Sequence, residues 1–235
     1  MRVTTVRPNL TQLTRLRFVN AYLVPEEHGL TLVDTMISGS GSGIVAAAER
    51  IGRPIVRIVL THGHADHVGS LDELARLLPH AVVACSSRES RLLAGDRELA
   101  PDEPASKLRG GWKDVETRPS LLLDDGDRVD SLRVVAAPGH TPGHIALVDE
   151  SDGTLIAGDA FSTLGGVSTG GRTNPRFPLV GMATWDRPTA NATAARLATL
   201  DPTALAAGHG RVVADPARAI ERALAAAGVA RAEAV

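Results

Sequence analysis

Three histidines and an aspartate fall within six residues of the segment Thr61-His62-Gly63-His64-Ala65-Asp66-His67-Val68-Gly69. Neutral imidazole and carboxylate are the donors that a borderline cation such as Zn²⁺ prefers. The H-x-H-x-D-H spacing, placed just after the apolar run Ile55–Leu60 and at a helix start, lets these side chains converge where the chain turns. Donors of the same type recur further on, each at the end of an apolar run. His140 follows Leu132–Ala137 in Pro138-Gly139-His140-Thr141-Pro142-Gly143-His144, Asp159 follows Leu155–Ala157, and His209 follows Ala204–Ala207. Glycines beside them leave room for backbone to crowd around an ion. A solvated His-rich loop is the bland alternative, and it would need neither this spacing nor this placement at strand ends.

The elements that must position these residues alternate between short β-rich runs and helical periods. Arg17–Val24 and Leu30–Asp34 read as a hairpin through Pro25–Gly29, followed by strands at Ile55–Thr61 and Ala81–Cys85. Ile44–Ile51 and Val68–Leu78 carry helical patterns, the second stopped by Pro79. Leu121–Leu123 with Leu132–Ala137, and His144–Val148 with Leu155–Ala157, read as hairpins with Asp-Gly turns. An Ala-rich helix over Pro188–Leu200, a strand at Ala204–Ala207 and a closing helix at Pro216–Ala227 complete the pattern. Strands followed by helices, twice over, predict a layered α/β sandwich with helices outside two sheets. Asp96–Pro119 and the glycine-rich Phe161–Thr184 fit no element and read as long loops, which in a compact domain are functional or disordered.

With these residues in view, the chain resembles the metallo-β-lactamase fold superfamily of hydrolases, in its glyoxalase II-like ligand arrangement. The resemblance runs from Leu32-Val33-Asp34-Thr35 to Gly208-His209-Gly210. It implies a four-layer αββα sandwich, a single domain over residues 1–235, with the site along one edge between the sheets. It also implies that His62, His64 and His140 hold one metal, that Asp66, His67 and His209 hold a second, and that Asp159 bridges the two. Asp34 would orient a ligand histidine, and Asp66 and Asp159 would be the carboxylates at the reacting centre. Two zinc ions are the implied cofactor, although the same ligands serve iron or manganese. Such ions bring the pKa of a bound water to about 7, which supplies a hydroxide nucleophile at neutral pH. They also polarise a carbonyl and stabilise the oxyanion that forms. A structural zinc is closed by four protein ligands, whereas seven ligands for two ions leave open positions.

Composition narrows the function classes. The net charge of −2 gives no excess of cations to neutralise phosphates, so a nucleic-acid partner is not expected. No apolar run approaches the roughly 20 residues of a membrane span, and the opening residues lack the apolar core of a secretory signal. Cys85 is the only cysteine, which rules out an internal disulfide; a cytoplasmic location is expected. It reads as a small core residue at a strand end, and His28 and His80 as surface residues. His144 reads as a hydrogen-bonded strand histidine, with an approach to the site as the alternative. Ser38–Gly43 matches no phosphate-loop pattern and reads as a helix entry.

Several members of the superfamily fit poorly. Glyoxalase II enzymes add a helical C-terminal region that binds glutathione, and 26 residues follow His209 here. Flavodiiron proteins have Glu where this chain has His64, and B3-type β-lactamases lack the bridging Asp. Homoserine lactonases share the ligand set but use a tyrosine between the bridging Asp and the last His; the sole tyrosine here, Tyr22, lies outside that interval. The expectation is a dinuclear zinc hydrolase of a small ester, lactone or thioester. The alternatives are a mononuclear iron enzyme like persulfide dioxygenases, using His62, His140 and Asp159, a weak β-lactamase, or a binding protein without turnover. Phe161, Arg172, Arg176, Phe177 and Met182 are the candidate substrate contacts. The Asp96–Pro119 stretch, with Trp112, reads either as a wall or lid over the site or as a surface for a homodimer.

Overall fold

Alternating and continuous apolar runs set the first sheet. Its strands are β1 (Arg2–Arg7), β2 (Leu10–Arg15), β3 (Val19–Glu26), β4 (Gly29–Val33), β5 (Ile55–Val59), β6 (Val82–Ser86) and β7 (Leu121–Leu123), and they pair in that order. The first four are antiparallel, and β4 to β7 run parallel. Four helices accompany this sheet: α1 (Gly41–Ile51), α2 (Ala65–Val68), α3 (Leu71–Leu77) and α4 (Ser87–Leu93). Leu13, Leu23, Leu30, Leu32 and Ile58 from the sheet pack with Ile44 and Ala47 of α1, Val68 of α2, and Leu71 and Leu74 of α3. Thr31 and Val33 of β4 alternate with Leu30 and Leu32 and are buried as well. That is why the parallel strands lack a polar-out alternation.

The computed structural model describes residues 1–232, and within it the chain forms two compact units. Met1–Asp96 with Gly111–Leu123 is the unit just described, and Arg97–Gly110 with residues 124–232 is the second. The second contains β8 (Arg128–Val129), β9 (Leu132–Ala136), β10 (Ile145–Asp149), β11 (Thr154–Gly158), β12 (Phe161–Ser162), β13 (Ser168–Thr169), β14 (Ala204–Ala207) and β15 (Val213–Ala214). Its sheet runs β15-β14-β11-β10-β9-β8, with β12 and β13 forming a separate small hairpin. Helices α5 (Leu179–Ala183), α6 (Arg187–Ala198) and α7 (Ala217–Ala226) follow. Ala194, Ala195, Leu197 and Ala198 of α6 and Ile220 and Leu224 of α7 pack with Val135, Ala146, Val148, Leu155 and Leu205 of the sheet. Helix α6 starts sharply because the Asp186 side chain accepts from the Thr189 amide and Pro188 occupies the first turn. Partial burial pushes the Asp186 carboxyl up, but hydrogen bonds from Thr189 and Ser106 outweigh it and hold the group below its ordinary range. Among the described residues no helix is long and apolar enough to cross a membrane.

Several expected elements differ. Leu121–Leu123 does not pair with Leu132–Ala137: it joins β6 in parallel as the edge of the first sheet, and the hairpin partner of β9 is β8. Exposed Leu121 and Leu122 fit that edge position. The β3–β4 hairpin is tighter than expected, with Glu26 opposite Gly29 and Pro25 opposite Leu30. Pro25 is tolerated because β2 pairs with β3 only as far as Leu23, so no neighbour needs its missing amide. The β1–β2 hairpin, α4, α5 and the β12–β13 pair lie where no element was expected. Asp96–Pro119 has neither helix nor strand.

Candidate metal centre

In the first unit the donors gather at the C-terminal ends of two neighbouring parallel strands. Asp34 follows β4, Thr61 and His62 follow β5, and Val33 lies opposite Val59 in the register. The chain leaves β5 in extended backbone at His64, the N-cap of α2, so Asp66 enters the first turn of that helix and His67 its last. His62 and His67 are fully buried, His64 is buried, and Asp66 is half-buried. Donor atoms of His62 with His64, of His62 with His67 and of Asp66 with His67 lie within 4.8 Å. The rings of His62 and His67 are 4.0 Å apart.

Hydrogen bonds around these rings decide which nitrogen is available. Asp34 Oδ2 lies 2.7 Å from His67 Nδ1, and a carboxylate only accepts, so the proton sits on Nδ1 and Nε2 keeps its lone pair. The remaining Asp34 contacts come from the Thr61 amide and hydroxyl, each at 2.8 Å. Since the Thr61 hydroxyl spends its proton on Asp34, it accepts from His62 Nδ1 at 3.1 Å, which again leaves Nε2 as the donor to a metal. Asp34 is held at a left-handed φ of 62°, an uncommon conformation for a residue other than glycine that persists where surroundings over-determine it.

The second unit repeats this logic at the same end of β9, β11 and β14. His140, Asp159 and His209 each lie a few residues beyond one of these strands. His140 Nδ1 is 2.9 Å from Thr184 Oγ1, whose own proton goes to the Gly170 or Val180 carbonyl, so Nδ1 donates and Nε2 keeps its lone pair. Asp159 Oδ2 stands 3.3 Å from both His140 Nε2 and His209 Nε2. With the His140 proton on Nδ1, this oxygen and His140 Nε2 are both acceptors, and a cation between them relieves the repulsion. All three are at most 3% exposed, so water does not screen them. This donor chemistry fits a metal ion.

His144 plays another part. Its Nε2 accepts from the Asp159 amide at 3.0 Å, so this lone pair is spent on fixing the backbone of Asp159. It is buried just before β10, a hydrogen-bonded histidine. His28 and His80 are exposed, and Cys85 is fully buried in the first core, where burial first and the Glu89 charge second push its thiol well above the ordinary range.

The candidate substrate contacts divide. Phe161 is fully buried and packs in the core of the second unit. Phe177 packs against His209, ring centres 5.1 Å apart. Met182 is 58% exposed on α5, while Arg172 and Arg176 line a cavity described below. Trp112 is set against His64, with ring centres 4.9 Å apart and a bridge between the two backbones.

Glu89 carries no mark of a site role in the sequence. It is fully buried on α4 and accepts from the Gly63 amide at 2.7 Å, pinning the peptide between His62 and His64. The spacing Ser86-x-x-Glu89 is a helix-start signature, and Ser86 does cap the Glu89 amide; the distant partner Gly63 is not legible from it. Glu89→Ala is expected to weaken metal affinity roughly 10- to 100-fold in a chelator competition, as removal of residues that orient a ligand does. Glu89→Gln keeps an oxygen for Gly63 and should lose much less.

The family model of the metallo-beta-lactamase superfamily matches residues 14–209. The chain belongs to the metallo-β-lactamase superfamily. Uncharacterized protein YobT of Bacillus subtilis (strain 168) is 44% identical over 216 residues, covering 92% of this chain and 93% of that protein. Probable metallo-hydrolase YflN of the same organism is 32% identical, covering 83% of this chain and 81% of that protein. A hydroxyacylglutathione hydrolase of Rhodopseudomonas palustris (strain BisA53) is 34% identical over 122 residues, 52% of this chain and 40% of that enzyme. Among solved structures, TTHA1623 in a di-iron-bound form superposes with a TM-score of 0.62 at 25% identity, covering 93% of this chain and 98% of that one. The chain therefore has the metallo-β-lactamase fold, with His and Asp groups suited to metal.

Proposed function

We propose that this superfamily member is a dinuclear metal hydrolase that cleaves a small ester, lactone or thioester. The observation that carries the reading is the pair of half-sites in which buried imidazoles have Nδ1 committed to Asp34, Thr61 or Thr184 and present Nε2. In this reading the two units are halves of one domain. His62, His64 and His140 would hold one ion, Asp66, His67 and His209 would hold the other, and Asp159 would be the seventh ligand. When bound, the ions supply an acidified water and an electrophile for the carbonyl. Asp34 and Thr184 keep the imidazoles in the tautomer that can bind. Asp66, the least buried of the donors, would take the proton released by the attacking water and return it to the leaving group. Zinc is the metal proposed, with iron as the second choice because the related TTHA1623 binds two iron ions.

The partner proposed is a small-molecule substrate, not nucleic acid or membrane, with a second copy of the chain as the macromolecular partner. The single cysteine supports a cytoplasmic location. The test is elemental analysis of purified protein beside a panel of lactones, esters, thioesters and β-lactams. About two ions per chain with hydrolysis of an ester-type substrate is the expected result. Absence of a transition metal, or oxygen uptake with a persulfide in place of hydrolysis, overturns the reading.

A further inference from the structure

A cavity of about 490 Å³ opens in the second unit between the segment after Asp159 and helix α7. Three of its lining side chains are Arg172, Arg176 and Arg222, and no acidic residue lines it. Among the described residues none of the three guanidiniums is tied up in an ion pair or a hydrogen bond. Glu221, the acid next to Arg222, lines a different cavity with Asp201 and Arg231. Nearby Arg187 is already engaged by Thr173 Oγ1 and the Gly181 carbonyl, so the three are set apart from it. Three like charges around one cavity repel one another, and an oxyanion received by their planar forks relieves that repulsion with charge-assisted hydrogen bonds.

The cavity is fastened to His209 at both ends of the segment that lines it. Two residues before Gly165, the Thr163 amide and hydroxyl each donate to the His209 carbonyl at 3.0 Å. One residue after Arg176, Phe177 packs in a tilted contact against the His209 ring. Inside the segment, Asn174 ties the wall together: its side-chain oxygen accepts from the Arg176 amide at 3.0 Å and its amide donates to the Leu164 carbonyl at 3.3 Å. Asn174 is itself buried, so this wall has a fixed shape.

We propose that this cavity is an anion subsite in which Arg172, Arg176 and Arg222 hold a doubly charged oxyanion, a phosphate or a dicarboxylate, carried by the substrate away from the bond that breaks. The placing beside His209 makes it a specificity device, and it rests on the hydrolase reading for the word substrate. It leaves acyl esters with a neutral tail as poorer substrates than those with an anionic one.

Two measurements on the full chain as purified test it. Calorimetric titration with inorganic phosphate and with succinate is compared between the wild type and Arg172→Ala, Arg176→Ala and Arg222→Ala; the metal ligands are the same in all four, so a difference reports the cavity. At least a tenfold loss of affinity for one of the two anions is expected, and the anion affected tells phosphate from dicarboxylate. In parallel, kcat/KM is measured for esters that share an acyl group and differ only in a neutral, phosphate or dicarboxylate tail. The preference for an anionic tail should fall about tenfold in each variant and recover in part in Arg222→Lys. Equal anion affinity in wild type and variants overturns the subsite, whatever the hydrolysis assay shows. Anion binding that the variants lose, together with no hydrolysis of any ester, keeps the subsite and overturns the hydrolase reading instead.

Discussion

Asp159→Ala is expected to lower kcat/KM at least about a thousandfold and to release metal. That is beyond the roughly 10- to 100-fold typical of residues that only orient a ligand. The reason lies in the second unit alone. One oxygen of Asp159 stands 3.3 Å from two imidazole nitrogens, His140 Nε2 and His209 Nε2. Alanine removes the carboxylate that stands against both, so an ion placed there would face histidines without its compensating charge. Asp159→Asn separates charge from shape: it fills the same space and keeps one carbonyl oxygen. The isostere should therefore also lose most of its activity if charge decides, and recover it if shape does. Elemental analysis and kcat/KM on the same preparations check this. The fold should persist in both variants, because the Asp159 amide is held by His144 Nε2 and not by its own side chain. Undiminished hydrolysis in Asp159→Ala would overturn the proposed mechanism.

Donor types and strand-end positions were legible because they are properties of residues near in sequence. H-x-H-x-D-H at the end of an apolar run, and single donors after three later runs, needed no tertiary knowledge to stand out. What orients those donors was not legible, because it is contributed from far away. Thr184 reaches His140 across 44 positions, and Glu89 reaches Gly63 across 26. Threonine and glutamate carry no local mark of such a bond. The fold shows the same division. Helices with Gly or Pro ends lie within a few residues of expectation, except that Val68–Leu78 is not one helix: Val68 ends α2, and α3 spans Leu71–Leu77. Leu121–Leu123 was assigned to the wrong partner, since a three-residue strand has too few side chains to specify its sheet, and a nearby Asp-Gly turn was the stronger local signal. Residues 2–15 alternate weakly because most of β1 is exposed, which hid the first hairpin. Arg172 and Arg176 stand out in sequence because they follow Asp159 in one glycine-rich loop, whereas Arg222 carries no such mark and only the fold brings α7 beside them.

Gly139→Ala should cost about 3–5 kcal/mol of stability, a large share of the roughly 5–15 kcal/mol that holds a domain folded. Two effects add. Gly139 has φ of 130°, a conformation that L side chains rarely adopt. A Cβ there would also sit 2.2 Å from the Ala190 amide nitrogen and 2.3 Å from its Cα, which are helix backbone and cannot swing aside. The loop and the start of α6 are joined just there: the Asp186 amide donates to the Gly139 carbonyl at 2.9 Å and the Trp185 amide to the His140 carbonyl at 3.0 Å. Relief of the clash therefore means breaking those bonds and shifting His140, so metal affinity should fall along with stability. Gly126→Ala is the comparison, since Gly126 also has positive φ, 91°, but open space around the added carbon. It carries only the conformational part, about 1 kcal/mol, and leaves His140 alone. Urea midpoints for the two variants at unchanged m, with metal content measured beside them, separate the contributions. If Gly139→Ala loses no more than Gly126→Ala, the close packing of the His140 loop on α6 is not what positions this ligand.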